Sequence, residues 1–252
     1  MMKGKSVLVD LSKCIGCRGC QVACKQWNQL PGEQTVNWGS YQNPPDLSAF
    51  TYTLVRFKEV EGNGQVKWNF FKDQCHHCVD PPCKYSADDI VKDAIVVDEN
   101  GAVFYTEKTK ELGNMDLKEA CPYGIPRRNS VTMQWVKCTF CKDRIANGLV
   151  PACVKACPTG ALTFGDRDQI LAQANQRLKE IKVAHPSAQL LDIDDVRWIY
   201  LLHEAEAQFQ MGLREERTYH FGWNRILSPT TLALGILGLV FKWRERGWKQ
   251  AG

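Results

Sequence analysis

Twelve cysteines, bunched at gaps of two and three residues, limit what this chain can fold into more than any other feature. Cysteines so close along the backbone rarely reach the geometry of a mutual disulfide. A chain of 252 residues also buries an adequate apolar core without covalent staples. Short runs of thiols are instead what metal or iron–sulfur ligation needs. The rest of the composition is that of a globular protein, 44% hydrophobic and 24% charged. A net charge of +4, with no basic stripe interleaved with aromatics, gives no footprint for nucleic acid.

The first group, CIGCRGCQVAC, places Cys14, Cys17, Cys20 and Cys24 at gaps of two, two and three. This is the run of bacterial ferredoxins, lacking only the trailing proline because Lys25 follows. Three cysteines on a tight loop hold three corners of a cubane, and the fourth starts a helix and serves a neighbouring cluster. Zinc normally uses paired knuckles, a spacing this run lacks. The last group is Cys138, Cys141, Cys153 and Cys157 followed by Pro158, with the middle gap stretched to eleven residues and the final C-x3-C-P intact. By the same exchange rule, Cys14, Cys17, Cys20 and Cys157 hold one cluster, and Cys24, Cys138, Cys141 and Cys153 hold a second. Between them lie Cys75, Cys78 and Cys83 in CHHCVDPPC, and a lone Cys121 in ACPYGIP. A full second module would add cysteines at Ala87, Glu111, Asn114 and Leu117. By the exchange rule those four absent ligands all belong to one cluster, and Cys75, Cys78, Cys83 and Cys121 are the complete set of another. The count therefore closes at three [4Fe-4S] clusters. His76 and His77 are left as surface or supporting groups rather than ligands. Arg18 is either a charge beside the first cluster or a solvated side chain, and His203 is read as structural.

Strand patterns cover residues 6–11, 51–60, 65–71, 94–98, 102–106, 161–164 and 196–202, with hairpin signals at EGNG and DENG, and helical periodicity covers 166–183. Residues 28–50 read as a long loop. The expected class is α+β, built from cysteine-rich loops, short helical turns and small two-stranded sheets. It consists of two ferredoxin-like modules, the second inserted in the first, plus a C-terminal transmembrane helix. Residues 1–30 and 130–185 form the two-cluster module, 50–129 the inserted one-cluster module, 186–222 an extension and linker, and 223–245 the span. Residues 226–241 carry no charge and reach the roughly 20 residues of a full span only with Trp223 and Trp243 as interfacial anchors. Lys242, Arg244, Arg246 and Lys249 follow it, which sets the C-terminus in the cytoplasm and the body on the periplasmic side of an inner membrane, by the positive-inside rule. No secretory signal precedes the first strand, so export would proceed in a folded state beside a partner carrying one.

The stretches CIGCRGCQVACKQWN, DQCHHCVDPPC, ACPYGIPRR and PACVKACPTGAL, in this order, resemble the ferredoxin-like iron–sulfur subunits of molybdopterin oxidoreductases over roughly residues 5–225. Most of that family holds four clusters. The three-cluster pattern with a lone ACPYGIPR looks most like the beta subunit of formate dehydrogenases, and the C-terminal span is similar to that of its membrane-bound members. The resemblance implies an electron-transfer subunit with no catalysis of its own and no catalytic residues. It implies a molybdenum or tungsten catalytic subunit as one partner and a membrane cytochrome b-type subunit or quinone beyond. The acceptor is expected to dock near the Cys75 set, on a surface carrying His76, His77, Pro81 and Pro82. Competing readings are the beta subunit of a hydrogenase or sulfur-compound reductase, and a zinc-stabilised scaffold protein.

Overall fold

A computed structural model describes residues 4–62 and 64–209. The chain divides into two units, 1–214 and 215–252, and the described residues lie in the first. The expected membrane span at 223–245 lies outside them. Among the described residues no helix is long and apolar enough to cross a membrane.

In chain order the strands are β1 Lys5–Asp10, β2 Thr53–Gly62, β3 Gln65–Gln74, β4 Ile95–Val97, β5 Val103–Tyr105, β6 Arg127–Arg128, β7 Trp135–Val136, β8 Leu162–Asp166, β9 Gln189–Leu191 and β10 Trp198–Leu202. The helices are α1 Gly19–Trp27, α2 Pro82–Asp88, α3 Leu117–Ala120, α4 Lys142–Ala146, α5 Ala152–Lys155 and α6 Arg167–Ile181. The protein is thus a mixed α+β fold, and each expected strand pattern contains or overlaps a strand. The expectation of two-stranded sheets alone is corrected, because the largest sheet has four strands in the order β8-β1-β10-β9. In it β1 runs parallel to β10, with Val7 opposite Trp198, and antiparallel to β8. Nothing local signals a pairing between segments almost two hundred residues apart.

The sheet is covered on both faces, and residues alternate between them as a pleated strand requires. Leu8, Ile199 and Leu201 face α6, where Ile170, Ala174 and Ile181 are buried. Val7, Val9, Trp198, Tyr200 and Leu202 face the opposite way, onto Phe71, Phe140 and Cys153. Covering on both sides is why β10 reads as the unbroken apolar run WIYLL rather than as an alternation. The β2–β3 hairpin pairs from Thr53 opposite Gln74 to Gly62 opposite Gln65. Its Tyr200-facing end is tied to the sheet, where the Tyr200 hydroxyl donates to the Lys72 carbonyl at 2.7 Å.

Candidate metal centres

The opening loop of each cysteine group solves one problem in the same way. Between Cys17 and Cys20 the left-handed residue is Arg18, whereas in each group's opening C-x2-C it is the residue just before the second cysteine, with Gly16 at φ +65, His77 at +50 and Phe140 at +60. That reversal turns the backbone amide of this residue onto the first thiol. His77 N–H donates to Cys75 Sγ and Phe140 N–H to Cys138 Sγ, both at 3.4 Å, and the Gly16 amide acts likewise on Cys14. Bulky L-residues avoid this region, and the two that accept it are fully buried and stacked on each other, with the His77 and Phe140 rings 4.8 Å apart. Both Cys-Pro segments close in turns as well. Gly124 and Gly160, at φ +61 and +64, donate their amides back to the carbonyls of Cys121 and Cys157.

These loops gather the twelve thiols into three sets. Cys14, Cys17, Cys20 and Cys157 line one cavity, with Cys17 exposed. Cys75, Cys78, Cys83 and Cys121 line another. Cys24, from α1, lies among Cys138, Cys141 and Cys153, and all four are buried. The sets adjoin in a row. Cys20 of the first lies near Cys153 of the second, and Cys138 of the second lies near Cys75 of the third.

Burial pushes the thiols up, and the neighbouring sulfurs push further. Cys14 reaches about 11, by desolvation and then by Cys20, Cys157 and Cys17. Cys121 reaches about 12, by desolvation and then by Cys83 and Cys75. Four such thiols ionise together only around a cationic core. The donor chemistry is soft and all-sulfur, which suits iron–sulfur clusters. Among the described residues no three Cys, His, Asp or Glu side chains converge on the position of a single metal ion.

Two buried lysines escape a reading based on cysteine spacing. Lys72, 2% exposed, donates through Nζ to Thr53 Oγ1 at 2.7 Å and to Gln74 Oε1, and sits over the Trp198 ring. It lines the cavity of the Cys14 set and is also close to Cys153, Cys138 and Cys24. Lys137, 5% exposed, donates to the carbonyls of Val103 and Cys138 and lines the cavity of the Cys75 set. The sequence signal for each is a lysine within three residues of a cysteine group.

The positions that lack cysteine are accounted for. Ala87 and Leu117 are wholly buried in an apolar cluster with Leu112, Ile95, Val103 and Trp135, while Glu111 and Asn114 are exposed.

His76 and His77 are not surface residues. At 3% and 0% exposed they pack between the second and third sets, His76 stacked on Tyr123 at 3.8 Å and His77 accepting the Val103 amide at Nδ1. The surface expected to carry them is therefore corrected. Pro81 is buried too, which leaves Val79, Asp80 and Pro82 partly or fully open there. Burial first, then Lys137, holds the His77 ring well below the usual imidazole range. Arg18 lines the first cavity, but its guanidinium is held over Phe57 and donates to the Tyr41 carbonyl. His203 packs edge-on to His185 and Phe209.

A model of the 4Fe-4S dicluster domain family matches residues 66–167, a stretch that holds eight of the twelve cysteines. The chain is 51% identical over 199 residues to the formate dehydrogenase subunit beta of Megalodesulfovibrio gigas, covering 78% of this chain and 93% of that one. It is 48% identical over 210 residues to the formate dehydrogenase 2 subunit beta (cytochrome c-553) of Nitratidesulfovibrio vulgaris, covering 81% and 96%. With the nitrate-inducible formate dehydrogenase iron–sulfur subunit of Escherichia coli it shares 40% identity over 245 residues, 93% of this chain and 82% of that one.

Proposed function

The chain belongs to the iron–sulfur (beta) subunits of formate dehydrogenase, electron-transfer subunits of an oxidoreductase complex, and on that premise we propose that it carries three [4Fe-4S] clusters. Cys14, Cys17, Cys20 and Cys157 hold the first. Cys24, Cys138, Cys141 and Cys153 hold the second, and Cys75, Cys78, Cys83 and Cys121 the third. The observation that carries this reading is the gathering of all twelve cysteines into three sets of four, with none left over. Each cluster, when bound, accepts and gives up one electron at a time. The chain's own residues fix the ligands, exclude water from the second and third sets and hold positive charge beside them. Residues 1–30 and 130–185 are read as the two-cluster module, with 50–129 as the module inserted in it.

The proposed partner at one end is the molybdopterin-type catalytic subunit, with molybdenum or tungsten, from which electrons would pass towards a membrane cytochrome b-type subunit or quinone. The row of the three sets supports a directed path. Residues 223–245 are proposed as a single membrane helix, with the body periplasmic and the C-terminus cytoplasmic. An alignment that covers 93% of this chain must extend into the uncharged segment 226–241, so the E. coli relative supports treating that segment as part of the subunit. The N. vulgaris relative carries cytochrome c-553 in its name, which makes a c-type cytochrome the second reading for the acceptor.

Anaerobic purification of the complex, with iron and acid-labile sulfide determined per chain, tests the cluster count. About twelve of each are expected from three cubanes. Eight or sixteen would refute the count, and zinc without sulfide would make the scaffold reading the right one.

A further inference from the structure

We propose that Lys72 and Lys137 are fixed counter-charges for the electron path, one at each junction between neighbouring cysteine sets, and that each raises the reduction potential of the clusters it adjoins. The inference rests on the three-cluster reading above.

Both lysines are buried in a body where an unpaired ammonium is costly. Among the described residues neither is paired with a carboxylate. The acceptors that hold them are neutral, namely Thr53 Oγ1 and Gln74 Oε1 for Lys72, and the Val103 and Cys138 carbonyls for Lys137. Such contacts orient an ammonium without cancelling its charge. A nearby aromatic face adds a little more, Trp198 for Lys72 and Tyr105 for Lys137, each 4.8 Å from the nitrogen. The remaining charge must be met from elsewhere, and the cavities show from where. Lys72 lines the space enclosed by Cys14, Cys17, Cys20 and Cys157, and Lys137 the space enclosed by Cys75, Cys78, Cys83 and Cys121.

Four thiolates around a cubane leave a net charge of −2 when oxidised and −3 when reduced, by counting the ligand and core charges. A fixed positive charge alongside favours the more negative state, so it favours electron uptake. Burial removes the screening that would blunt the effect at a surface. The positions differ in reach. Lys72 stands between the first and second sets, while Lys137 is bonded to the carbonyl of Cys138 and lines the third. Each should act on its own junction and leave the far set alone.

The test is an EPR-monitored redox titration of the intact complex carrying Lys72→Met, Lys72→Gln or Lys72→Arg, and the same three changes at Lys137, with the third cluster's signal identified by its loss in Cys121→Ala. Lys72→Met and Lys72→Gln are expected to lower the reduced-to-oxidised ratio of the first and second clusters about tenfold at a fixed potential, a fall of about 59 mV for a one-electron couple. The third cluster should stay in place. The neutral changes at Lys137 should lower the third and leave the first. Arginine should hold the potentials near those of the parent protein. Failure of the neutral variants to assemble clusters while the arginine variants succeed also supports a need for charge. Unchanged potentials in neutral variants that retain about twelve irons, an equal fall in all three clusters, or loss of clusters in the arginine variants as well would overturn the inference. A parent complex without three clusters would instead refute the reading on which it rests.

Discussion

A methyl group added to Gly16 would meet the Phe70 ring at 2.7 Å, on a backbone already at φ +65. Neither side can give way easily, since the ring belongs to the hairpin and the turn aims an amide at Cys14. Left-handed backbone costs an L-residue about 1–2 kcal/mol before any clash is counted. Gly16→Ala is therefore expected to loosen the first set, with the iron content of the purified complex falling by up to about four atoms per chain and the other two EPR signals retained. Cys121 allows a sharper separation. Its thiol adjoins Cys83 and Cys75, and with them and Cys78 it lines a cavity. Cys121→Ala should remove the third signal and leave the first two. Loss of a first- or second-set signal, with the third intact, would show that the ligand sets are drawn wrongly.

Between elements, charge pairs join what the hairpins and helices leave separate. Asp46, in the long loop before β2, receives Arg56 and Arg127 at 2.6 Å each. Arg56 also holds Asp73, which is 2% exposed, at 2.6 Å. The four side chains fasten the loop, the β2–β3 hairpin and the segment after Cys121 to one another, and Arg127 also caps the carbonyls of Gly124, Ile125 and Pro126. Burial pushes the Asp73 carboxyl up, and Arg56 opposes this without fully offsetting it. Removing the arginine strands a buried charge, whereas neutralising the aspartate strands none. Arg56→Ala is expected to destabilise the subunit by about 3–5 kcal/mol, as breaking a buried pair does. Asp73→Asn should cost clearly less, because Arg56 keeps Asp46. Thermal denaturation of the two variants under anaerobic conditions distinguishes them, and equal losses would argue against this account.

For the molecule as a whole, the described cysteine sets end at Cys157 and the described body ends with Phe209, well before residue 226. The M. gigas and N. vulgaris relatives are covered over 93% and 96% of their own lengths by alignments of 199 and 210 residues. Those alignments leave little of either relative to match the C-terminal segment of this chain. A chain ending at Phe221 is expected to keep about twelve irons and, in complex, to leave the membrane fraction. If the truncated complex stays on membranes as firmly as the full chain, the anchor lies elsewhere.

The cysteine groups were legible because each is a local run, but joining Cys157 to Cys14, Cys24 to Cys138 and Cys121 to Cys75 rested on an exchange rule, since those partners lie far apart along the chain. The hairpins at 53–74 and 95–105 and the helix at 167–181 were legible for a related reason, since their periodicity and turn residues are local. The sheet was not. Its central pairing joins β1 to β10, and only the closed tertiary structure brings Val7 opposite Trp198. Burial of His76 and His77 followed from the same closure, because the backbone of that loop is bonded to residues 195–198 of the far end of the chain. Lys72 and Lys137 also read as ordinary polar residues in the sequence. What makes them unusual is the absence of solvent around them, and solvent exclusion is a property of packed elements rather than of any short run of residues.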